Sequence, residues 1–428
     1  MNALQIFAVL VVIAASASYV NHRYFQMPAT IGLMALTLAG SLFFVLLDKF
    51  GIVNLAPVAL TVRSFDFADP LLHGILAFLL FAGALHIDLD DLKQQALPVT
   101  LLASIGVIVT CALTGAAFWL AAHSLGFELS CLHALLFGAL IAPTDPIAVI
   151  GILKKVGAPR SLETKIAGES LFNDGVGVVL FLSLLKLSID GTAPSVSSVA
   201  LSLVREALGG IALGLLLGWS AFLLLRSIDA YKVEALLTLA VAAGGYGVAE
   251  SVHVSAPITV VVAGLIVGNH GRRIGMSEFT RKQLDAFWEI LDEIMNALLF
   301  VLMGLQIIAI KLDWAEIAVG SLAIVGALAS RFFAISMLIS VMRLKRAFST
   351  GVVKILTWCG LRGGISIALA LSLPPLPHKD LILTSTYMVV IFSVLVQGLT
   401  VGRVIRASGQ THESSDVDAP HPSSDDRT

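Results

Sequence analysis

Leu135-Leu136-Phe137-Gly138-Ala139-Leu140-Ile141-Ala142-Pro143-Thr144-Asp145-Pro146-Ile147-Ala148-Val149-Ile150 is the stretch that decides how this chain folds. It is apolar enough for a membrane helix, yet Pro-Thr-Asp-Pro cuts through it. Each proline lacks an N–H and clashes with the turn before it, so backbone carbonyls lose their helical partners. Such a break survives at membrane depth only when buried in protein or lining a cavity. The stretch therefore predicts an interrupted helix with polar groups gathered at the break.

Composition places that helix in a bilayer. The 428 residues are 57% hydrophobic and 13% charged, with a mean hydropathy of +0.93. That is about half the charge of an ordinary soluble chain, too little to cover a globule of this size. A net charge of −2 predicts no nucleic-acid partner. Cys111, Cys131 and Cys359 lie in apolar runs with neither disulfide nor metal spacing. What remains is an all-α polytopic membrane protein.

A span needs about 20 mostly apolar residues. Thirteen stretches qualify: 3–20, 28–47, 70–87, 97–121, 130–151, 163–187, 199–225, 233–250, 256–269, 290–310, 314–342, 351–373 and 381–405. Alternate connections, with the C-terminal segment, carry 19 Lys and Arg residues; the opposite set carries 6. Basic loops stay in the cytoplasm, so the expectation is an inner-membrane protein with its N-terminus outside and its C-terminus cytoplasmic. Ala15-Ser16-Ala17 has the look of a cleavage site, but no basic residue precedes it, so a first span is expected instead. Residues 407–428 read as a disordered cytoplasmic tail.

Gly360-Leu361-Arg362-Gly363-Gly364 is a second weak point, made from glycine. Asp145 and Arg362 lie 217 residues apart, as do Leu97 and Trp314 at the starts of segments four and eleven. Segments six and thirteen start 218 apart. The two three-helix units are separated by an odd number of spans and so face opposite ways. That predicts inverted repeats with two interrupted helices crossing near the midplane, a transporter's usual pointer to its substrate site.

Ionised groups at the bilayer centre cost at least about 2.5–3.5 kcal/mol each. Asp145, Asp174, Arg331 and Arg362 fall inside these units, with Glu169 close by. Internal pairing explains some of them. Ser170 and Asp174 share a helix face, as do Glu169 and Asn173. A carboxylate, a hydroxyl and the freed carbonyls around Thr144 would form an all-oxygen site, suited to a hard cation. A buried carboxylate holds either a proton or a cation, and competition for it is the simplest basis for cation/proton exchange.

Four motifs, taken in order, carry a resemblance: Ala142-Pro143-Thr144-Asp145-Pro146; Gly168-Glu169-Ser170-Leu171-Phe172-Asn173-Asp174-Gly175; Phe287-Trp288-Glu289-Ile290-Leu291-Asp292-Glu293; and Gly360-Leu361-Arg362-Gly363-Gly364. With them the chain resembles the monovalent cation:proton antiporter family, in its NhaP-like bacterial branch, over essentially the whole span region. The resemblance implies a homodimer. Each protomer would have a mobile core unit (97–187 and 314–405) and a dimerisation unit (1–96 and 199–310), together the antiporter domain 1–406. It implies that Asp174 binds Na⁺ or the proton, with Ser170 and the Thr144 backbone as co-ligands and Asn173 orienting the site. Glu169 would pair with Arg331, and Asp145 and Arg362 would neutralise half-helix ends. An Asn-Asp pair rather than Asp-Asp implies one exchanging carboxylate and electroneutral one-for-one exchange.

Two positions depart from that pattern. His86 and Gln306 stand where relatives often carry an acid. His86 is either a pH-responsive group in a funnel or an interfacial histidine at a helix end. Asp292 and Glu293 either draw cations into a funnel or mark a solvated helix end.

The expectation is a secondary antiporter exchanging Na⁺ or Li⁺ for H⁺, with those ions as substrates and no cofactor. A K⁺/H⁺ exchanger is the close alternative and a passive cation channel a distant one. No nucleophile–base pair or His-Glu-His motif supports an enzyme.

Overall fold

The computed structural model describes residues 3–58, 74–190, 196–309, 313–344, 348 and 351–408. Most of the tail expected from 407 and the start of the span expected at 70–87 lie outside them. The described residues form helices and no named strand; the one β-type contact is an isolated antiparallel bridge between Asp145 and Leu361.

Eight helices among the described residues are long and apolar enough to cross a membrane. Among them are α1 (Ala3–Val20) and α2 (Ala29–Lys49). After α3 (Leu76–Leu85) and the short α4 (Leu89–Gln94) comes α5 (Ala96–Ser124). The first broken segment follows as α6 (Cys131–Ile141) and α7 (Ile147–Lys155), then the unbroken α8 (Arg160–Asp190). Next come α9 (Val196–Arg226), α10 (Tyr231–Ser251), α11 (Ala256–Ile266) and α12 (Glu278–Gln306). The chain continues with α13 (Trp314–Met342), the second broken segment α14 (Val352–Trp358) and α15 (Gly364–Leu371), and α16 (Lys379–Ala407).

Five of the thirteen expected spans are not single long apolar helices here. Two are the broken segments. The expected 70–87 and 256–269 spans contain α3 and α11, of 10 and 11 residues. Within the expected 290–310 span, residues 290–306 form the far half of the longer α12, which carries Glu289, Asp292 and Glu293 midway.

Serine and aspartate side chains start the helices where the sequence supplies them. Ser130, Ser255, Ser277 and Asp313 each accept a backbone N–H at the first turn of α6, α11, α12 and α13. The α5, α6 and α13 helices pack together, and α13 continues onto α16. On the other side α11 packs against α3, α9 and α10, and α12 against α2. Gly210, Gly214 and Gly218 of α9 lie along α11, where Thr259 Oγ1 donates to the Gly210 carbonyl at 3.2 Å. Small residues let backbones approach in a medium that offers helices no hydrophobic drive to associate.

Apolar side chains also face outward. Phe7, Val12 and Tyr19 on α1, and Leu208, Leu216 and Trp219 on α9, are exposed. Soluble monomers rarely leave such stripes open to water, whereas lipid solvates them.

Candidate functional site

The first break is completed by the second. In a continuous helix the Ala142 carbonyl would accept from residue 146, but Pro146 has no N–H. Arg362 supplies the missing donor: its Nη1 donates to the Ala142 and Pro143 carbonyls at 2.6 and 2.8 Å. Its side chain is buried. A cation thus sits at the carbonyl end of α6, where the helix dipole is negative.

Asp145 plays the reciprocal part. Its carboxylate packs against Gly363, the residue before α15, and so lies by the positive end of that helix. A Cβ at position 363 would overlap the carboxylate. The Asp145 N–H donates to the Leu361 carbonyl at 2.8 Å, so the two breaks also touch through backbone.

The α8 helix presents Ser170, Asn173 and Asp174 to this crossing. Asn173 takes both faces of Thr144: the Thr144 N–H donates to Asn173 Oδ1 at 3.3 Å, and Asn173 Nδ2 donates to Thr144 Oγ1 at 2.8 Å. Thr144 Oγ1 and Ser170 Oγ share a hydrogen bond of 3.0 Å. All four side chains are buried. The Thr144 and Ser170 hydroxyls therefore meet, and Asp174 follows Ser170 by one turn of α8; oxygen donors of this kind suit a hard monovalent cation.

Glu169 lies one turn before Asn173 on α8 and has a different partner. Its Oε1 lies 2.7 Å from Arg331 Nη1, and the two side chains are only 2% and 7% exposed. The contact is charge on charge; among the described residues no aligned donor reaches Oε1. Arg331 Nη2 also donates to the Leu356 carbonyl at 3.3 Å. Its guanidinium passes so close to Gly360 that a side chain there would collide with it.

A cavity of about 550 Å³ leads to Asp174. Asp88, Asp91, Lys154, Arg160 and Glu163 line its exposed end; Asp145, Asp174 and Asp292 line its deeper part. His86 lies on its wall at the C-terminus of α3. Glu293 is exposed on α12 and is not among the lining residues. Asp88 caps α4 by accepting the N–H groups of Asp90 and Asp91 at 2.7 and 3.3 Å. Asn269 fixes the corner beside His86, accepting from the Leu89 N–H and donating to the Ile87 carbonyl, both at 2.9 Å. Arg272, held by Asp285, donates to the Leu85 carbonyl at 3.0 Å. Gln306 is buried near the end of α12.

Sequence reasoning missed Ser393 and Gln397, which contact the second break. The available signal was a serine and a glutamine one helical turn apart, on the helix after the break.

Comparison with known proteins follows this geometry. The family model described as sodium/hydrogen exchanger, transmembrane, matches residues 8–407. The chain is 46% identical to the Na(+)/H(+) antiporter NhaP of Pseudomonas aeruginosa, over 96% of this chain and 99% of that one. It is 36% identical to the Na(+)/H(+) antiporter ApNhaP of Aphanothece halophytica, over 92% and 72% of the two chains. The fold is similar to that of the sodium proton antiporter MjNhaP1 from Methanocaldococcus jannaschii at pH 8. That match has a TM-score of 0.74 and 21% identity, over 94% of this chain and 97% of that one.

Proposed function

The chain belongs to the sodium/hydrogen exchanger family and is a multi-pass membrane protein, and on that premise we propose that it exchanges Na⁺ or Li⁺ for H⁺ across the cell's inner membrane. The carrying observation is the cavity that ends on Asp174, beside the Thr144–Ser170–Asn173 network.

In this reading Asp174 holds a proton or a cation in turn. Ser170 and Thr144 supply further oxygens, and Asn173 fixes Thr144. A single exchanging carboxylate makes one cation leave for each proton that arrives, so exchange is electroneutral. Asp292 and His86 belong to the funnel, whereas Glu293 lies outside it.

The protomer carries thirteen spans in inverted repeats. The exchange of caps between the two breaks supports that pairing. The core unit (97–187 and 314–405) moves against the dimerisation unit (1–96 and 199–310) of a homodimer, giving alternating access. Lys154 and Arg160 at the cavity's exposed end, on either side of the α7–α8 connection, support a cytoplasmic opening. The N-terminus is then outside and the C-terminus inside.

Everted vesicles under an imposed pH gradient test the reading. NaCl and LiCl should dissipate the gradient in wild type and fail to do so in Asp174→Asn. Undiminished exchange in that variant overturns the mechanism, and a rate that follows an imposed membrane potential overturns electroneutrality.

A further inference from the structure

We infer that Ser393 and Gln397 are positioning residues that splice the broken hydrogen bond of the second interrupted helix and thereby hold Arg362 over the cation site. In an unbroken helix the Arg362 N–H would donate to the Trp358 carbonyl, four residues back. Here the two groups are apart, at the start of α15 and the end of α14, and a side-chain relay joins them. The Arg362 N–H donates to Ser393 Oγ at 2.8 Å. Ser393 Oγ donates to Gln397 Oε1 at 2.8 Å. Gln397 Nε2 donates to the Trp358 carbonyl at 3.2 Å. Both ends of the lost bond are satisfied, as buried backbone groups must be.

The surroundings are built for this. Ser393 and Gln397 are 0% and 3% exposed. They bound a π-helical turn, Ser393–Gln397, in α16, and such turns often sit at functional positions. The first break is served in the same way by the helix that follows it: the Thr144 N–H donates to Asn173 Oδ1. Each interrupted segment is thus pinned by an amide side chain, Asn173 on α8 and Gln397 on α16.

The relay reaches the site through one residue. Arg362 is fixed by its N–H at Ser393, and its guanidinium covers the Ala142 and Pro143 carbonyls next to Thr144. Loosening the relay frees that guanidinium and lets the Thr144 oxygens drift. The inference rests on the proposed cation exchange for its transport consequence, and on the hydrogen bonds alone for its structural one.

Two measurements on the purified full-length chain test it, in Ser393→Ala, Ser393→Thr, Gln397→Leu and Gln397→Glu. Hydrogen–deuterium exchange across 359–364 should speed up roughly fivefold or more in Ser393→Ala and Gln397→Leu, the loss expected for a buried hydrogen bond. In proteoliposomes the half-saturating sodium concentration should rise by about fivefold, with a smaller change in maximal rate. Ser393→Thr, which keeps the hydroxyl, should restore both. If Gln397→Leu does not fold, Gln397→Glu keeps the acceptor for Ser393 and lacks the donor to Trp358, and it should show the same exchange change. Unchanged exchange across 359–364, or a Ser393→Thr variant as impaired as Ser393→Ala, overturns the inference. Hydrogen exchange needs no transport, so a wild-type protein that moves no sodium sinks the functional reading and leaves the relay to be decided on its own.

Discussion

Glu169 and Arg331 form a buried ion pair at 2.7 Å between α8 and α13, one helix from each half of the chain. Removing one member leaves the other charge stranded, which costs about 3–5 kcal/mol. Glu169→Ala should therefore lower the yield of folded protein and its melting temperature in detergent. The surviving protein should keep a half-saturating sodium concentration near wild type. A stable variant with a large affinity loss would make Glu169 a ligand instead.

Gly363 stands against the Asp145 carboxylate with no room for a methyl group. Gly363→Ala should displace Asp145 from the N-terminus of α15 and reduce exchange by at least about tenfold, equivalent to roughly 1.4 kcal/mol. Gly40, with nothing near its missing Cβ, is the control. Vesicle assays of Gly363→Ala and Gly40→Ala decide the point. Equal activity in the two would remove the steric constraint.

Asp292 and Glu293 are neighbours with different surroundings: one lines the cavity and the other is exposed outside it. A carboxylate in a cleft concentrates cations there. Asp292→Asn should raise the half-saturating sodium concentration by about three- to tenfold at low ionic strength. Glu293→Gln should change it little. Matching effects from both substitutions would point to general surface charge rather than to the funnel.

Asp229, in the connection between α9 and α10, accepts hydrogen bonds from Ser277 and Thr280 at 2.8 and 2.9 Å. Those donors hold its carboxyl below the usual carboxylate range. A carboxylate with a depressed folded pKa stabilises the protein above the unfolded value, and that contribution disappears as pH falls through the folded value. Thermal unfolding of Asp229→Asn should therefore differ from wild type at neutral pH and converge with it in acid. A gap that is constant with pH would deny the linkage.

Both breaks were legible in the sequence, because proline's missing N–H and glycine's weak helix propensity act locally. The 217-residue spacing tied them together, and the helical repeat put Ser170 and Asp174 on one face. What completes each break was not legible. The donor for the Ala142 carbonyl comes from Arg362, and no local rule pairs residues so far apart. Ser393 and Gln397 escaped for the opposite reason: inside an apolar span their polarity resembles ordinary helix packing until their partners are known. Asp292 and Glu293 formed one acidic motif in the sequence, and about 100° of helical rotation gives them different surroundings. The thirteen apolar stretches were visible to composition, which does not register that breaks, short helices and the acids of α12 divide or shorten some of them.

The reach from Arg362 back to Ala142 spans 220 residues of chain. At a synthesis rate of about 5–20 residues per second, the first break is made roughly 10–40 s before its cap exists. During biogenesis the Ala142 and Pro143 carbonyls must be served by water or by the insertion machinery. The seal on the first break therefore forms late, only once the second break has been made.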